Sequence, residues 1–535
     1  MRALRRRTPR LETAAGLAAC LALGLLLRAP AAHIPLERDE GEYAYIAQDW
    51  LDGHVPYADT FDQKPPGAFA AYAAIFATLG RSPAAIHWGA ELWTLGTLVL
   101  LFGAGAALYS PLAGLLAAAF GAWLTTAPCF RANAANTELF MLLPLTGAFW
   151  AALAAEAGEP LSFAFIAGLL SGGAVLFKQV ALVNAVVLLF FVARVQRGRG
   201  PRLAAFGAGF AAALLPVAAC FAAAGAWAPF FDCVVRYNLS SYVRQVPLLQ
   251  YPALLAAALG PILKEGWGAI ALAACGLTLG APAAANPRAR RIAGAWLAAS
   301  ALGAAAGGYF REHYFLQLVP ALALLAARGA ERLAARFKLG SGAAVGFALA
   351  AIAVGVLAAP RYYLSGTPEE KSRLLYGLNP FPESPELAGF IAARTEPDDQ
   401  VFILGSEPQI LFEARRRSAG RSIFAYPLMA PGDAGLARQQ EALAEFDRAA
   451  PKIVATEYSS GAFLAGPDSS RLLFQELPRR LSESYRVVGL MVTDFERGEN
   501  RLVLGEEAVA LWEKTLGPRP GVASFIVWQR RPQAR

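Results

Sequence analysis

Over its first 360 residues the chain alternates long apolar runs with short polar clusters, and the runs are of membrane-crossing length. A helix that crosses a bilayer needs about 20 mostly apolar residues. Runs that meet or approach this lie at 12–31, 84–108, 112–128, 137–156, 161–177, 180–196, 203–225, 265–282, 291–308, 313–328 and 341–359. The pattern predicts a polytopic α-helical membrane domain over 1–360 with about eleven spans. The first run follows Arg5, Arg6 and Arg7 as a signal peptide would. Arg28 and Pro30 close it, and many further runs come after, so it reads as an uncleaved first helix.

Beyond residue 360 the period changes. Short β-type runs at 401–404, 452–455, 485–491 and 525–528 alternate with helical patterns at 406–416, 434–449 and 468–479. This predicts a soluble α/β domain over 361–535. It holds no Walker A sequence, no GxGxxG after a strand and no GxSxG, so no catalysis is assigned to it.

Composition sharpens this division. Of 535 residues, 56% are hydrophobic and 16% charged, which excludes an ordinary cytosolic enzyme, a disordered scaffold and a coiled coil. Residues 1–360 carry 43 charged side chains, about 12%, and 361–535 carry 45, about 26%, the usual soluble proportion. The net charge of +8 would suit a nucleic-acid partner, but the basic residues stand in short clusters between apolar runs, with no nucleic-acid motif. Topology accounts for them. Arg2, Arg5, Arg6, Arg7 and Arg10 precede the first run; Arg194, Arg197, Arg199 and Arg202 follow the sixth; Arg288, Arg290 and Arg291 follow the eighth; Arg328, Arg332, Arg336 and Lys338 follow the tenth. A cytoplasmic N-terminus puts all four clusters inside. It puts 32–83, 129–136, 226–264, 309–312 and the C-terminal domain outside. Cys20, Cys220 and Cys275 fall in apolar runs; Cys129 and Cys233 fall in segments on one side, where a disulfide between them stays open.

The polar residues of the membrane half gather in those outer segments. Asp39 and Glu40 follow the first run, and Tyr43, Ile46, Ala47, Trp50 and Leu51 recur at helical spacing. This predicts an amphipathic helix over 40–52 on the membrane surface. Lys64-Pro65-Pro66 then stops the chain and opens a second short helix at 67–79. A carboxylate at a membrane face can act as a general base or hold a cation. Glu37, Glu42, Asp59 and Asp62, taken singly, read as a solvated acidic loop. Asn136 or Thr137 can cap a helix whose first turn holds Glu138, either as a dipole partner or as a functional rim carboxylate. Lys178 lies at an outer turn, as do Arg311, Glu312, His313 and Tyr314; a Lys or Arg there can snorkel or neutralise a lipid phosphate.

This order of pieces is an acidic pair after the first helix, a Lys-Pro-Pro turn, a second acidic residue before the fourth helix, an outer Lys, and a late His-Tyr-Phe-Leu. It resembles the GT-C membrane glycosyltransferases, most of all the bacterial branch related to protein O-mannosyltransferases and to the aminoarabinose transferases that modify lipid A. The resemblance implies a multi-pass protein of the inner (plasma) membrane. It also implies a polyprenyl-phosphate-linked sugar donor and inverting transfer to an acceptor hydroxyl on the extracytoplasmic face. It makes Asp39 the general base or the group that orients the acceptor, with Glu40 in support and Glu138 as the second acidic residue. Lys64, Lys178 and Arg311 become candidates for the donor phosphate, and Tyr43, His313 and Tyr314 candidates for lining the cavity. A divalent cation, Mg2+ or Mn2+, can lie near Asp39 and Glu138 but is not obligatory. The acceptor can be a glycan, a lipid or a protein, in a membrane-lipid setting and without nucleic acid. The main rival is a transporter or lipid flippase. A wall-polymer polymerase or ligase and a sensor are further alternatives.

Overall fold

A computed structural model describes residues 11–194, 198–242, 246–279, 287–458, 461–516 and 523–532. Arg2, Arg5, Arg6, Arg7, Arg10 and Arg197 of the basic clusters lie outside the described residues.

Among the described residues each apolar run lies mainly on a helix. In chain order these elements are α1 (Leu11–Arg28), α2 (Arg38–Leu51), α3 (Gly67–Leu79), α4 (Pro83–Leu108), α5 (Pro111–Leu124), α6 (Thr137–Glu156), α7 (Leu161–Phe177), α8 (Ala181–Ala193) and α9 (Arg199–Ala223). Two short pieces, α10 (Trp227–Phe231) and α11 (Asn238–Ser240), precede α12 (Tyr251–Thr278), α13 (Pro287–Ala305), α14 (Val319–Arg336) and α15 (Ser341–Ala358). Among the described residues, six helical segments are long and apolar enough to cross a membrane, and four more are apolar but shorter. Local chemistry explains several starts. Ser82 and Ser110 each accept a hydrogen bond from the backbone N–H three residues on, and each precedes a Pro in the first turn. Helix α6 is buried along most of its length and forms the bundle's centre, whereas α9 is largely exposed, as a lipid-facing helix must be.

Two boundaries differ from the sequence pattern. The run at 313–328 becomes a 3-10 turn over Glu312–Leu318 and then α14, so the late His-Tyr pair sits in a connection and not in a span. Helix α12 begins at Tyr251, well before residue 265, because Lys264 and Glu265 sit within one unbroken apolar helix. Helix α2 is also not an open surface helix. Every residue from Glu40 to Asp49 is buried, and only Trp50 and Leu51 stand exposed at its end.

The cover over α2 comes from the C-terminal region. Here α16 (Pro368–Tyr376) and α17 (Ser384–Ala392) lead into a mixed six-stranded sheet of order β2-β1-β3-β6-β4-β5. Its strands are β1 (Gln400–Leu404), β2 (Arg417–Ser418), β3 (Ile453–Glu457), β4 (Tyr485–Asp494), β5 (Glu499–Leu504) and β6 (Ala523–Arg530). Strands β1, β2 and β3 are parallel; β6 pairs antiparallel with β3 and β4, and β5 antiparallel with β4. Between them lie α18 (Gln409–Ala414), α19 (Asp433–Ala449), α20 (Leu472–Ser484) and α21 (Glu506–Leu511). The predicted helix at 406–416 is thus shorter than its pattern and ends at Arg415 in a left-handed conformation, from which β2 departs.

Alternate positions of β1 face opposite ways. Val401 and Ile403 belong to the apolar cluster that includes Tyr43 and Ile46 of α2, while Phe402 and Leu404 pack with Phe446 and Leu477 on the far side. Close approach at α2 depends on one glycine. A Cβ at Gly41 would lie 2.4 Å from the backbone nitrogen of Gln409 at the start of α18. Overpacking of this kind costs about 1–3 kcal/mol. Gly41→Ala is therefore expected to lower the midpoint of thermal unfolding in detergent; an unchanged midpoint would contradict this packing.

Candidate active site

The bundle has two chemically different ends. At one, the C-terminal ends of α6, α12 and α14 and the N-terminal ends of α9 and α13 bring together Arg202, Arg288 and Arg332. Arg202 donates to the carbonyls of Ala155 and Glu159 at 3.0 Å, Arg288 pairs with Glu156 at 2.6 Å, and Arg332 donates to Leu279. At the other, α4 and α6 begin, α7 ends, and a cavity of about 970 Å³ opens beneath the C-terminal region.

Eight of the nine candidate residues line this cavity: Asp39, Tyr43, Lys64, Glu138, Lys178, Arg311, His313 and Tyr314. Glu40 does not. It is fully buried and turned toward His87 and the backbone of Ala135.

Asp39 and Glu138 come from distant elements. Asp39 lies in the first turn of α2, which begins with a reciprocal cap between Glu37 and Glu40. Glu138 lies in the first turn of α6 and accepts from the Thr137 hydroxyl at 2.8 Å; Asn136, the N-cap residue, makes no side-chain capping bond. His313 stands between them, its Nε2 3.9 Å from Asp39 and 4.0 Å from Glu138. Each carboxylate has an ammonium beside it, the one near Asp39 shared with Glu42. Lys64 Nζ is 3.5 Å from Asp39 and 2.7 Å from Glu42, and Lys178 pairs with Glu138. Both lysines also face rings, Lys64 at 4.8 Å from the centre of Tyr43 and Lys178 at 3.7 Å from that of Tyr314.

The chain turns that deliver these lysines have local causes. The backbone N–H of Lys64 donates to Asp62 at 2.9 Å, and its carbonyl accepts from the Tyr57 hydroxyl at 2.8 Å. Lys178 ends α7 in an extended conformation, so its side chain leaves the helix toward α6. The acidic loop is not solvated. Glu37, Glu42 and Asp62 are buried, and only Asp59 is exposed, paired with Arg417 at 3.3 Å.

Charge explains the protonation states. Burial works to raise the Asp39 carboxyl, but Lys64, His313, Lys178 and Arg38 outweigh it and hold it below its ordinary value. Burial likewise opposes the Lys64 ammonium, and Asp39, Asp62 and Glu42 more than restore it. Burial pushes Asp62 up to about 6 against the pull of Lys64. Burial also outweighs Glu138 and Asp39 at His313 and moves the imidazole below its usual value. The stabilising share of Asp39 is complete above about pH 4 and is lost as pH falls through its lowered value.

Arg311 differs from the other cavity cations. Arg38 pairs with Glu407 at 2.7 Å and Arg131 with Glu312 at 3.4 Å, and the two lysines are paired as described. Arg311 is exposed to the cavity and forms no ion pair among the described residues. Away from it the wall becomes apolar along α8, through Leu182, Val183, Val186 and Val187, and along the end of α13 at Gly303. The opposite wall holds Tyr376, Asn379, Phe381, Phe424 and Tyr426, all from the C-terminal region to which the sequence assigned no chemistry. Together with Arg38 and Tyr242, these are among the lining residues that sequence reasoning missed; no motif marks them.

Among the described residues no group of three or more His, Cys, Asp or Glu side chains has metal-holding geometry. Asp39 and Glu138 carry oxygen ligands that a divalent cation could use, but Lys178 sits against Glu138, and Lys64, shared with Glu42, lies 3.5 Å from Asp39. All five cysteines are free, Cys129 and Cys233 included.

No family model matches the sequence, and no curated protein matches it. Solved structures do. ArnT from Cupriavidus metallidurans bound to undecaprenyl phosphate is similar over 83% of this chain and 92% of its own, at a TM-score of 0.58 and 15% identity. Its apo state covers 94% of this chain and 99% of its own, at 0.57 and 15%. The apo oligosaccharyltransferase of Archaeoglobus fulgidus covers 98% and 89%, at 0.55 and 10%. The chain has the GT-C fold. A GT-C chain is a multi-pass membrane protein, and here the fold carries its C-terminal α/β region directly above the cavity.

Removing one partner of a buried ion pair costs about 3–5 kcal/mol. Glu138 is 1% exposed, so Lys178→Met is expected to destabilise the protein by about that amount. Lys178→Met combined with Glu138→Gln should recover most of the loss. Detergent unfolding of the three variants checks this; additive losses in the double variant would contradict the pairing.

Proposed function

We propose that this protein is an integral membrane glycosyltransferase. It moves a sugar from a polyprenyl-phosphate-linked donor to an acceptor hydroxyl, with inversion, at the extracytoplasmic face. The observation that carries the reading is Arg311, a guanidinium without an ion pair among the described residues, in a cavity whose other cations are matched. A phosphate is the natural anion for it. The apolar wall along α8 beside it suits a polyprenyl chain, and the similar ArnT structure is bound to undecaprenyl phosphate.

The chemistry follows from the charges. The acceptor oxygen attacks the anomeric carbon, the bond from that carbon to the phosphate oxygen breaks, and polyprenyl phosphate leaves. Arg311 stabilises the charge that develops on the phosphate, with Lys64 and Lys178 nearby. Asp39 is ionised, lines the cavity and takes the hydroxyl proton. Glu138, held by Lys178 and Thr137, is poorly free to act as a nucleophile, which favours a single displacement. Tyr43, His313 and Tyr314 shape the pocket between the two substrates. No step is routed through a metal.

In this reading residues 1–360 form the catalytic membrane domain, and 361–535 form an extracytoplasmic domain that presents the acceptor. The arginines at the far end of the bundle favour a cytoplasmic N-terminus and an inner (plasma) membrane location. A transporter would place its polar residues near the bilayer midplane. Here Asp39 and Glu138 occupy first turns of helices at one end of the bundle.

Asp39→Asn is expected to abolish transfer from a purified polyprenyl-phosphate sugar while leaving folding intact; full activity would overturn the base assignment. Arg311→Ala is expected to raise the donor KM by about tenfold or more with little effect on the acceptor KM; an unchanged donor KM would remove the phosphate role. Because Asp39 ionises below its ordinary range, kcat/KM should hold on the acid side to about pH 4 and fall below it. A fall centred near neutrality would assign the base to another group.

A further inference from the structure

Asp39 and Glu40 are neighbours in sequence with opposite surroundings. Asp39 faces the cavity, and Glu40 is fully buried behind it. One Glu40 oxygen, Oε1, accepts from the backbone N–H of Ala135 at 2.7 Å and lies 3.0 Å from His87 Nε2. The other, Oε2, accepts from the backbone N–H of Glu37 at 3.3 Å. Ala135 lies next to the end of the segment 125–136, which carries Arg131 and leads into α6 and Glu138.

That segment is neither a long helix nor a strand: the backbone N–H groups of Phe130, Arg131, Ala132 and Ala134 bond to carbonyls within it, and several of its other backbone groups need partners from elsewhere. Buried side chains supply them. The guanidinium of Arg28 donates to the carbonyls of Thr125 at 2.8 Å, Ala132 at 2.6 Å and Asn133 at 3.1 Å, and its charge is matched by Glu91 at 3.1 Å. The Tyr72 hydroxyl donates to the Ala135 carbonyl at 3.0 Å. Arg28 and Tyr72 hold the segment from the bundle. Glu40 ties it to α2, the helix that carries Asp39. A carboxylate shut off from solvent is expensive unless it is hydrogen-bonded and paired, as Glu40 is by the Ala135 and Glu37 N–H groups and His87.

We propose that Glu40 is a positioning residue: by binding the Ala135 backbone it fixes α2 against the start of α6 and so sets the spacing of Asp39 and Glu138. It exchanges no proton with substrate. This rests on reading those two carboxylates as members of the transferase site.

Glutamine separates positioning from proton transfer. Its amide keeps an oxygen for the Ala135 N–H but cannot act as an acid or base. Glu40→Gln is expected to keep kcat within about fivefold of wild type, the loss of roughly one capping bond, with an unchanged pH profile. Glu40→Ala should lower kcat by about 100-fold, as misplacement of a reacting group does, with donor KM changed by less than about threefold. Tyr72→Phe should show a smaller fall of the same kind. Hydrogen exchange over 130–137, read on the full-length protein in detergent, should quicken in Glu40→Ala and Tyr72→Phe and stay protected in Glu40→Gln.

A folded Glu40→Gln as inactive as Glu40→Ala would overturn the proposal, as would wild-type kcat and exchange in Glu40→Ala. If Glu40→Ala does not fold, Glu40→Gln and Tyr72→Phe decide the matter. If the wild-type protein transfers no sugar, the transferase reading fails, and the exchange comparison still tests the tie.

Discussion

Charge compensation inside a largely buried cavity governs this structure. Asp39 and Glu138 lie where burial penalises the ionised form, so each depends on a cation brought from another part of the chain. Lys64 arrives on the turn before α3 and Lys178 on the end of α7, and His313 arrives on the connection before α14. The helices that supply these groups must end at the same depth. Consistent with this, α3 begins just after Lys64, α7 stops at Phe177 and α14 starts at Val319, just after His313.

The C-terminal region belongs to the same arrangement. Arg38, next to Asp39, reaches across to Glu407 at 2.7 Å and to Asn379 at 3.0 Å, and Gly41 lets α18 lie directly on α2. The sheet's inner face shares one apolar cluster with the membrane helices. The cavity therefore has two walls of different origin. An apolar one lies along α8, and an aromatic and polar one comes from residues 376–426. The proposed lipid-linked donor and polar acceptor would call for that asymmetry.

Much of this was legible in the sequence, for stated reasons. The apolar runs located the bundle because lipid demands unbroken apolar helices. Lys64-Pro65-Pro66 located the start of α3 because proline suits a helix start and not its interior. Rare charges flanking apolar runs located Asp39, Glu138, Lys178 and Arg311, since charge there is costly and seldom idle. Glu40 shows the limit. Its neighbour and its charge made it look like a partner of Asp39 in the cavity, and only a helix's rotation turns one inward and the other away. Arg38, Asn379 and Tyr426 were invisible because contacts across more than 300 residues leave no local pattern. The burial of α2 was missed because its cover is supplied by the C-terminal sheet.

The central claim is that Arg311 receives the phosphate of a lipid-linked substrate. Native mass spectrometry of the purified protein with undecaprenyl phosphate and with undecaprenol tests it most directly. The account predicts one retained undecaprenyl phosphate per chain, weak retention of undecaprenol, and loss of that difference in Arg311→Gln. Equal retention of the alcohol and the phosphate by the wild-type protein would contradict it.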